Sequence, residues 1–266
     1  MRRALVVLAL SVIAAVLLGV NAFAATGWTP PAHITSWQWQ LSGTLNTSVK
    51  ADVYDVDWFD TSAAQVAALH AVGRHVICYV DVGGVEPYRP DYYRYTSADK
   101  GNTVSGWDEF YADTRSANVR SIIKDRIVQQ CAAKGFDAVE TDLDDTWLEG
   151  SAVTGGLHPL PLNQATGLDF LQFLSSTIQS QGLAWFAKNG ADPVFQSFAS
   201  SHAKGEVNEE CSVYSECGVL ATNIPILHAE YTSSGFTKAC NSRAKYPNET
   251  IIKKSYSLTA KVSVCS

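Results

Sequence analysis

GFDAVETDLDDTWLEG, residues 135 to 150, sets a β-prone run directly in front of four carboxylates: Glu140, Asp142, Asp144 and Asp145. Side chains alternate across a strand, so Glu140 and Asp142 share one face of 138–142 and emerge at its carboxyl end. The same phase puts Asp55 with Asp57 in VYDVDWF (53–59) and Tyr79 with Asp81 in HVICYVDV (75–82). Lys188, Glu209, His228 and Glu230 come late in AWFAK (184–188), GEVNE (205–209) and PILHAEY (225–231). With ITSWQWQL (34–41) and TIIKK (250–254), the chain offers eight strand candidates. Helical patterns separate several of them, at 62–73, 117–135 and 163–182, each ended by the Gly that a helix C-terminus prefers. Strand and helix alternating eight times predicts an α/β fold, a (β/α)₈ TIM barrel. A doubly wound open sheet is the rival, but its early phosphate-binding Gly fingerprint is absent. Acids buried inside a filled barrel would be costly unless paired or solvated, and the open carboxyl-end mouth, where barrel enzymes build their sites, removes that conflict.

Working outward, Arg2 and Arg3 precede an apolar run from Ala4 to Val20, and Ala22-Phe23-Ala24 offers small residues at a cleavage spacing. This predicts a signal peptide over 1–24 and a secreted barrel domain over 25–266, with no stable membrane association after cleavage. An uncleaved anchor is the alternative. Formal net charge is −6, and losing Arg2 and Arg3 makes the remainder more acidic. Such a surface argues against nucleic acid and suits neutral or cationic partners. Six cysteines in an exported chain read as three disulfides whose pairing sequence alone leaves open. Cys211 and Cys217 would close a short loop, and Cys240 with Cys265 would pin the C-terminal segment. Cys78 and Cys131 then remain, and in a barrel Cys78 points outward toward the helix that ends near Cys131. Asn46 and Asn248 lie in N-x-S/T sequons.

The stretch from Val82 to Ser116 lacks strong periodicity, and loops of that length in compact domains are usually functional. Tyr88, Tyr92, Tyr93, Tyr95, Trp107 and Tyr111 could form a stacking wall over the mouth, or could pack on one another. Two carboxyl groups on different strands can break a glycosidic bond, one protonating the leaving oxygen and the other attacking C1 or activating water. Asp142 and Glu209 are the candidate catalytic pair, each at a strand tip, Glu209 beside the Cys211 loop. Other chemistries fit less well. No H-x-x-x-H, G-x-S-x-G or phosphate loop is present. DLDDTWLEG has the carboxylate density of a calcium loop, yet Trp147 stands where an EF-hand needs Gly. Neither a cofactor nor a metal is expected.

These residues carry a resemblance. WQWQLSG (37–43), YDVDWFD (54–60), VICYVDVGGVEPYRPD (76–91), GFDAVETDLDD (135–145), KN (188–189), VNEEC with YSEC (207–217) and AEY (229–231) occur in the order found in the endo-α-1,4-polygalactosaminidases, glycoside hydrolase family 114. The chain resembles that family from about Trp37 to Cys265. The resemblance implies a barrel that cleaves α-1,4-linked galactosamine polymers with retention, Asp142 as nucleophile and Glu209 as acid/base. Where relatives show E-P-D-N-x-D, this chain has Leu143 in place of Asn, and where they show N-E-Q-C it has Glu210. Trp39, Asp57, Tyr79, Asp81, Trp107, Glu140, Asp144, Lys188, Glu230 and Tyr231 are the expected sugar-binding residues. A polysaccharide is the expected partner. A neutral α-galactoside is the alternative substrate, and a non-catalytic, lectin-like barrel is the alternative of another class.

Overall fold

The computed structural model describes residues 27–265, and the signal segment expected at 1–24 lies outside the described residues. Eight parallel strands follow one another in sequence order: β1 (Trp37–Gln40), β2 (Val53–Asp57), β3 (His75–Asp81), β4 (Ala138–Asp142), β5 (Ala184–Lys188), β6 (Gly205–Glu209), β7 (Ile226–Glu230) and β8 (Glu249–Lys253). They curl into the wall of the expected barrel. Register is continuous across the catalytic side: Asp57 pairs with Tyr79, and Asp81 with Asp142. Among the described residues no backbone ladder joins β8 to β1. The seam is bridged instead by Trp37 Nε1 donating to Thr250 O at 2.9 Å, the Thr250 hydroxyl donating to Ile34 O, and Lys254 Nζ donating to Gln38 Oε1. A short antiparallel pair, Ser263–Val264 on β8, finishes the sheet.

Strand alternation divides the apolar residues into two cores. Trp39, Val53, Ile77, Ala138, Phe186, Val207, Leu227 and Ile252 fill the barrel interior. Val56, Val76, Val139 and Trp185 face outward, in one cluster with Leu69, Ile122, Phe170 and Phe195 of the surrounding helices. Each buried side chain of this size contributes about 1.5–3 kcal/mol. The apolar lower layers thus carry the barrel and leave the uppermost layer free to be polar.

Helices α1 (Ala63–His70), α2 (Ala117–Asp125), α3 (Gln164–Ser180), α4 (Pro193–His202) and α5 (Ser233–Ser242) start at side-chain caps: Ser62, Ser116, Asn163, Asp192 and Thr232. Each cap accepts from the first-turn N–H groups that have no partner inside the helix. Among the described residues three of the eight expected helices are missing, and no helix follows β8. Residues 41–52, rich in Gly, Ser and Thr, run from β1 to β2 without one, and only the four-residue turn Cys211–Tyr214 follows β6. The helix expected over 117–135 changes to a π turn at Arg126–Ala132. Residues 82–116 are also more ordered than their lack of periodicity predicts. They form a small antiparallel sheet, with strand 110–112 between 84–85 and 100–103. Ala112 N donates to Gly83 O at 2.7 Å, which ties this insert to the end of β3.

The cysteines pair as Cys78–Cys131, the pair expected from the barrel, with Cys211–Cys217 closing the short loop and Cys240–Cys265 pinning the C-terminal segment. The first joins β3 to the π turn outside it. Among the described residues no helix is long and apolar enough to cross a membrane. Replacing both Cys78 and Cys131 by Ala opens a loop spanning 53 residues and should cost about 2–4 kcal/mol. Urea denaturation under non-reducing conditions should show a lower midpoint, with a slope that is unchanged or steeper because the uncrosslinked unfolded chain exposes more surface. An unchanged midpoint would mean that the π turn needs no covalent tie.

Candidate active site

Lys188 ends β5 and is 1% exposed. Its Nζ lies 3.0 Å from Glu140 Oε1, 3.0 Å from Asp142 Oδ1 and 3.1 Å from Glu209 Oε2. Three adjacent strands, β4, β5 and β6, therefore converge on one ammonium. The Trp39 ring lies 4.7 Å from the same ammonium and adds a cation–π contact. Because one nitrogen touches both, the nearest oxygens of Asp142 and Glu209 can be no further apart than the sum of 3.0 and 3.1 Å, about 6.1 Å.

Each carboxylate of that pair is aimed by neutral donors as well. Tyr79 donates to Asp142 Oδ2 at 2.6 Å, and Leu143 N donates to Asp142 Oδ1 at 3.1 Å. Burial alone would raise the Asp142 carboxyl, but Lys188 and then the Tyr79 hydroxyl hold it below its ordinary value. Burial pulls the Lys188 ammonium down, yet Asp142, Glu140 and Glu209 together raise it well above the usual lysine range. Glu209 accepts from Tyr231 OH on one oxygen, and from Lys188 and Asn189 Nδ2 (3.3 Å) on the other. Asn189 also accepts from Glu209 N through Oδ1 at 2.9 Å, so one amide fixes both the backbone and the side chain of Glu209.

A cleft of about 810 Å³ opens over this pair at the carboxyl ends of the strands. Trp39, Asp57, Tyr79, Trp107, Asp142, Lys188, Glu209 and Tyr231 line it, as expected sites, together with Tyr88, Glu86, Arg89, Glu109, Asn189 and Tyr256. Not every lining acid is free. Asp57 is held bidentately by Arg89 at 2.9 and 2.7 Å, and Arg89 Nε also donates to Glu86. Tyr256 stacks on Tyr231 with centroids 4.2 Å apart and was not foreseen. A search for aromatics just beyond the last strand would have found it. The insert's aromatics divide: Tyr88 and Trp107 face the cleft, whereas Tyr95 and Tyr111 are buried in the outer core.

Four expected site residues lie outside the cleft. Glu230 is the clearest correction. On β7 Leu227 and Ala229 belong to the interior core, so His228 and Glu230 point outward, where Glu230 accepts from His228 Nε2 and Ser212 N. Asp144 follows the strand end, turns away, and accepts from the Thr141 hydroxyl at 2.6 Å. Glu140 and Asp81 lie beneath the surface of the site. Glu140 supports Lys188 from below. Asp81 accepts from Gly83 N and Gly84 N, and a Cβ on Gly84 would meet Asp81 Oδ2 at 2.0 Å, which explains the double glycine after β3.

Two groups of side chains could be weighed as cation ligands. Cys211, Cys217, His228 and Glu249 lie close together, but both sulfurs are spent in a disulfide and offer no thiolate. Asp81, Glu86 and Glu109 bring carboxylate oxygens within 4.8 Å of one another, with Glu86 already engaged by Arg89. Chemically the arrangement offers an ionised carboxylate and a second carboxyl group facing it across a sugar-sized gap.

Buried acids also set the response to pH. Burial raises Asp55, Asp81, Asp144 and Glu206 well above their ordinary values, and lifts Asp145 and Glu109 to about 7. Between the ordinary carboxylate range and about pH 7 the folded chain thus binds more protons than the unfolded one, and stability falls as pH rises. Asp142 acts oppositely, losing its contribution only as pH drops through its lowered value. Thermal denaturation should give a higher midpoint near about pH 5 than near about pH 8. The reverse order would contradict the assignment of these carboxyls as neutral.

Comparison with known proteins agrees with the barrel. A profile of glycoside-hydrolase family GH114 matches residues 19–266. Aspergillus fumigatus Ega3, solved in complex with galactosamine, is 30% identical, with a TM-score of 0.80 over 90% of this chain and 97% of that one. The glycoside hydrolase domain of PelA from Pseudomonas aeruginosa shares the fold, with a TM-score of 0.61 and 12% identity over 87% of this chain and 98% of that one. A search of curated proteins gave no match.

Proposed function

The chain belongs to glycoside-hydrolase family GH114, and from that premise we propose that it is a secreted, single-domain hydrolase, residues 25–266, of α-1,4-linked galactosamine polymers. The observation that carries this reading is the Asp142–Lys188–Glu209 arrangement at the floor of the cleft. Asp142, kept ionised by Lys188 and Tyr79, attacks C1 of the bound sugar while Glu209 gives its proton to the leaving oxygen. A glycosyl ester on Asp142 forms. Glu209, now a carboxylate, takes a proton from water as that water attacks C1 and frees Asp142. An upper limit of about 6.1 Å between the nearest oxygens suits the roughly 5–5.5 Å separation of retaining pairs better than the roughly 6.5–9.5 Å of inverting ones.

The substrate follows from charge. With Glu209 carrying the proton it donates and Glu109 raised to about 7, Asp57, Glu86, Asp142, Glu149 and Glu210 still line the cleft against Arg89 and Lys188. A surplus of carboxylate attracts a cationic chain and raises its local concentration. Tyr88, Trp107 and the Tyr231–Tyr256 pair supply flat apolar faces for the C–H sides of sugar rings.

Asp142→Asn and Glu209→Gln are isosteric and should keep the fold, as judged by circular dichroism. Each should lose at least about 10²-fold in activity on partially deacetylated α-1,4-galactosaminogalactan, with products read by mass spectrometry. Retained activity in either folded variant would reassign the chemistry. Cleavage of neutral α-galactosides in preference to the amino polymer would overturn the substrate instead.

A further inference from the structure

Beside the cleft, at the ends of β7 and β8, lies a second cavity of about 360 Å³ bordered by Tyr231, Tyr256, Lys253, Lys254, Lys261 and Ser263. Its chemistry is the inverse of its neighbour's. Three lysines line it and no carboxylate does, in a chain whose net charge is −6. None of the three forms an ion pair among the described residues. Lys253 Nζ donates to Ser233 Oγ at 2.5 Å, and Lys261 is exposed.

Lys254 is the telling member. It is 4% exposed, and its ammonium donates only to Gln38 Oε1 at 3.2 Å and Thr259 O at 2.7 Å. Both acceptors are neutral, and an ammonium has three N–H donors, so one remains without a protein partner. Burying a cation without a counter-charge is costly, and burial accordingly draws Lys254 down to about 8. A group at that value is still mainly protonated at neutral pH, and a bound anion would supply the missing charge.

Size and shape narrow the ligand. The volume falls at the lower end of the roughly 300–1,000 Å³ typical of small-molecule sites and exceeds the need of a bare ion. Tyr256 is largely exposed and stacked on Tyr231, so it presents a ring face of the kind sugars pack against. Loops after the seventh and eighth strands are also where barrels of this architecture commonly hold a phosphate.

We propose that this cavity binds a sugar unit carrying an oxyanion, such as a uronic acid, beside the hydrolytic cleft and separately from it. Tyr231 and Tyr256 border both cavities, so an anionic unit held here lies alongside a chain in the cleft. The inference rests on the lysine-lined cavity and does not depend on the proposed hydrolysis.

Calorimetric titration of the folded chain with galacturonate, galactose and inorganic phosphate tests it. Galacturonate should bind at least about tenfold more tightly than either of the others, since only it offers both ring and charge. Lys254→Met and Lys261→Gln, made singly and together, should each weaken galacturonate binding, by at least about tenfold in the double variant. Lys261 is exposed, so its variant reports even if Lys254→Met misfolds. Asp142→Asn should leave galacturonate binding unchanged, which places the ligand outside the cleft. Equal binding of phosphate would make the site one for free oxyanions, and equal binding of galactose would remove the role of charge. Either result, or lysine variants without effect, overturns the proposal.

Discussion

One buried ammonium organises the mouth of this barrel. Lys188 contacts carboxylates from β4 and β6 while standing on β5, and Glu140 and Asp142 lie on the same face of one strand because strand alternation puts them there. Taking Lys188 and Glu140 out of water costs several kcal/mol per ion unless each is paired, while Asp142 and Glu209 keep one side open to the cleft. Here one ammonium serves three carboxyl groups, so removing Lys188 leaves Glu140 and Asp142 without their counter-charge, whereas neutralising Asp142 or Glu209 leaves Lys188 paired with the other two. The cluster is thus a weak source of net stability and a strong constraint on geometry. It fixes how far apart Asp142 and Glu209 can be, and it sets the charge state of Asp142.

The backbone around the cluster shows the same constraint. Asp142, Lys188 and Glu209 are each followed by a residue with positive φ: Leu143 at 54°, Asn189 at 53° and Glu210 at 58°. Left-handed backbone costs an L-residue roughly 1–2 kcal/mol, least for Asn and Asp. Three such turns at neighbouring strand tips swing the chain off the barrel immediately after the functional side chain. The strain is held by local bonds: Leu143 N on Asp142, Asn189 on Glu209, and the Cys211–Cys217 disulfide beyond Glu210. Leu143 is the costly case. The family resemblance implies Asn at this position, and the φ value gives a physical reason for such a preference beyond any contact with substrate.

Much of the barrel was legible because its signal is local. The strand boundaries at 138–142, 184–188 and 205–209 coincide with those expected, since each is a short β-prone run ended by polar residues. The inward set Asp55, Asp57, Tyr79, Asp81, Glu140 and Asp142 followed from alternation. Glu230 failed for the opposite reason: its charge and late position outweighed its phase, although Ala229 beside it already marked the inward face. Asp144 lies past the left-handed turn at Leu143, where strand phase no longer extends. The ion pair of Asp57 with Arg89 joins residues far apart in sequence, and no period encodes it. The insert's sheet was equally hidden, its strands being too short to show alternation.

The central claim is that Lys188 brings Asp142 and Glu209 close enough for a double displacement at C1. Proton NMR of the first-formed product, recorded before mutarotation, tests it most directly. The geometry predicts that cleavage of the α-linked polymer releases the α-anomer first. Initial release of the β-anomer would require a water held between the two carboxyl groups, and would contradict the close pairing on which the account rests.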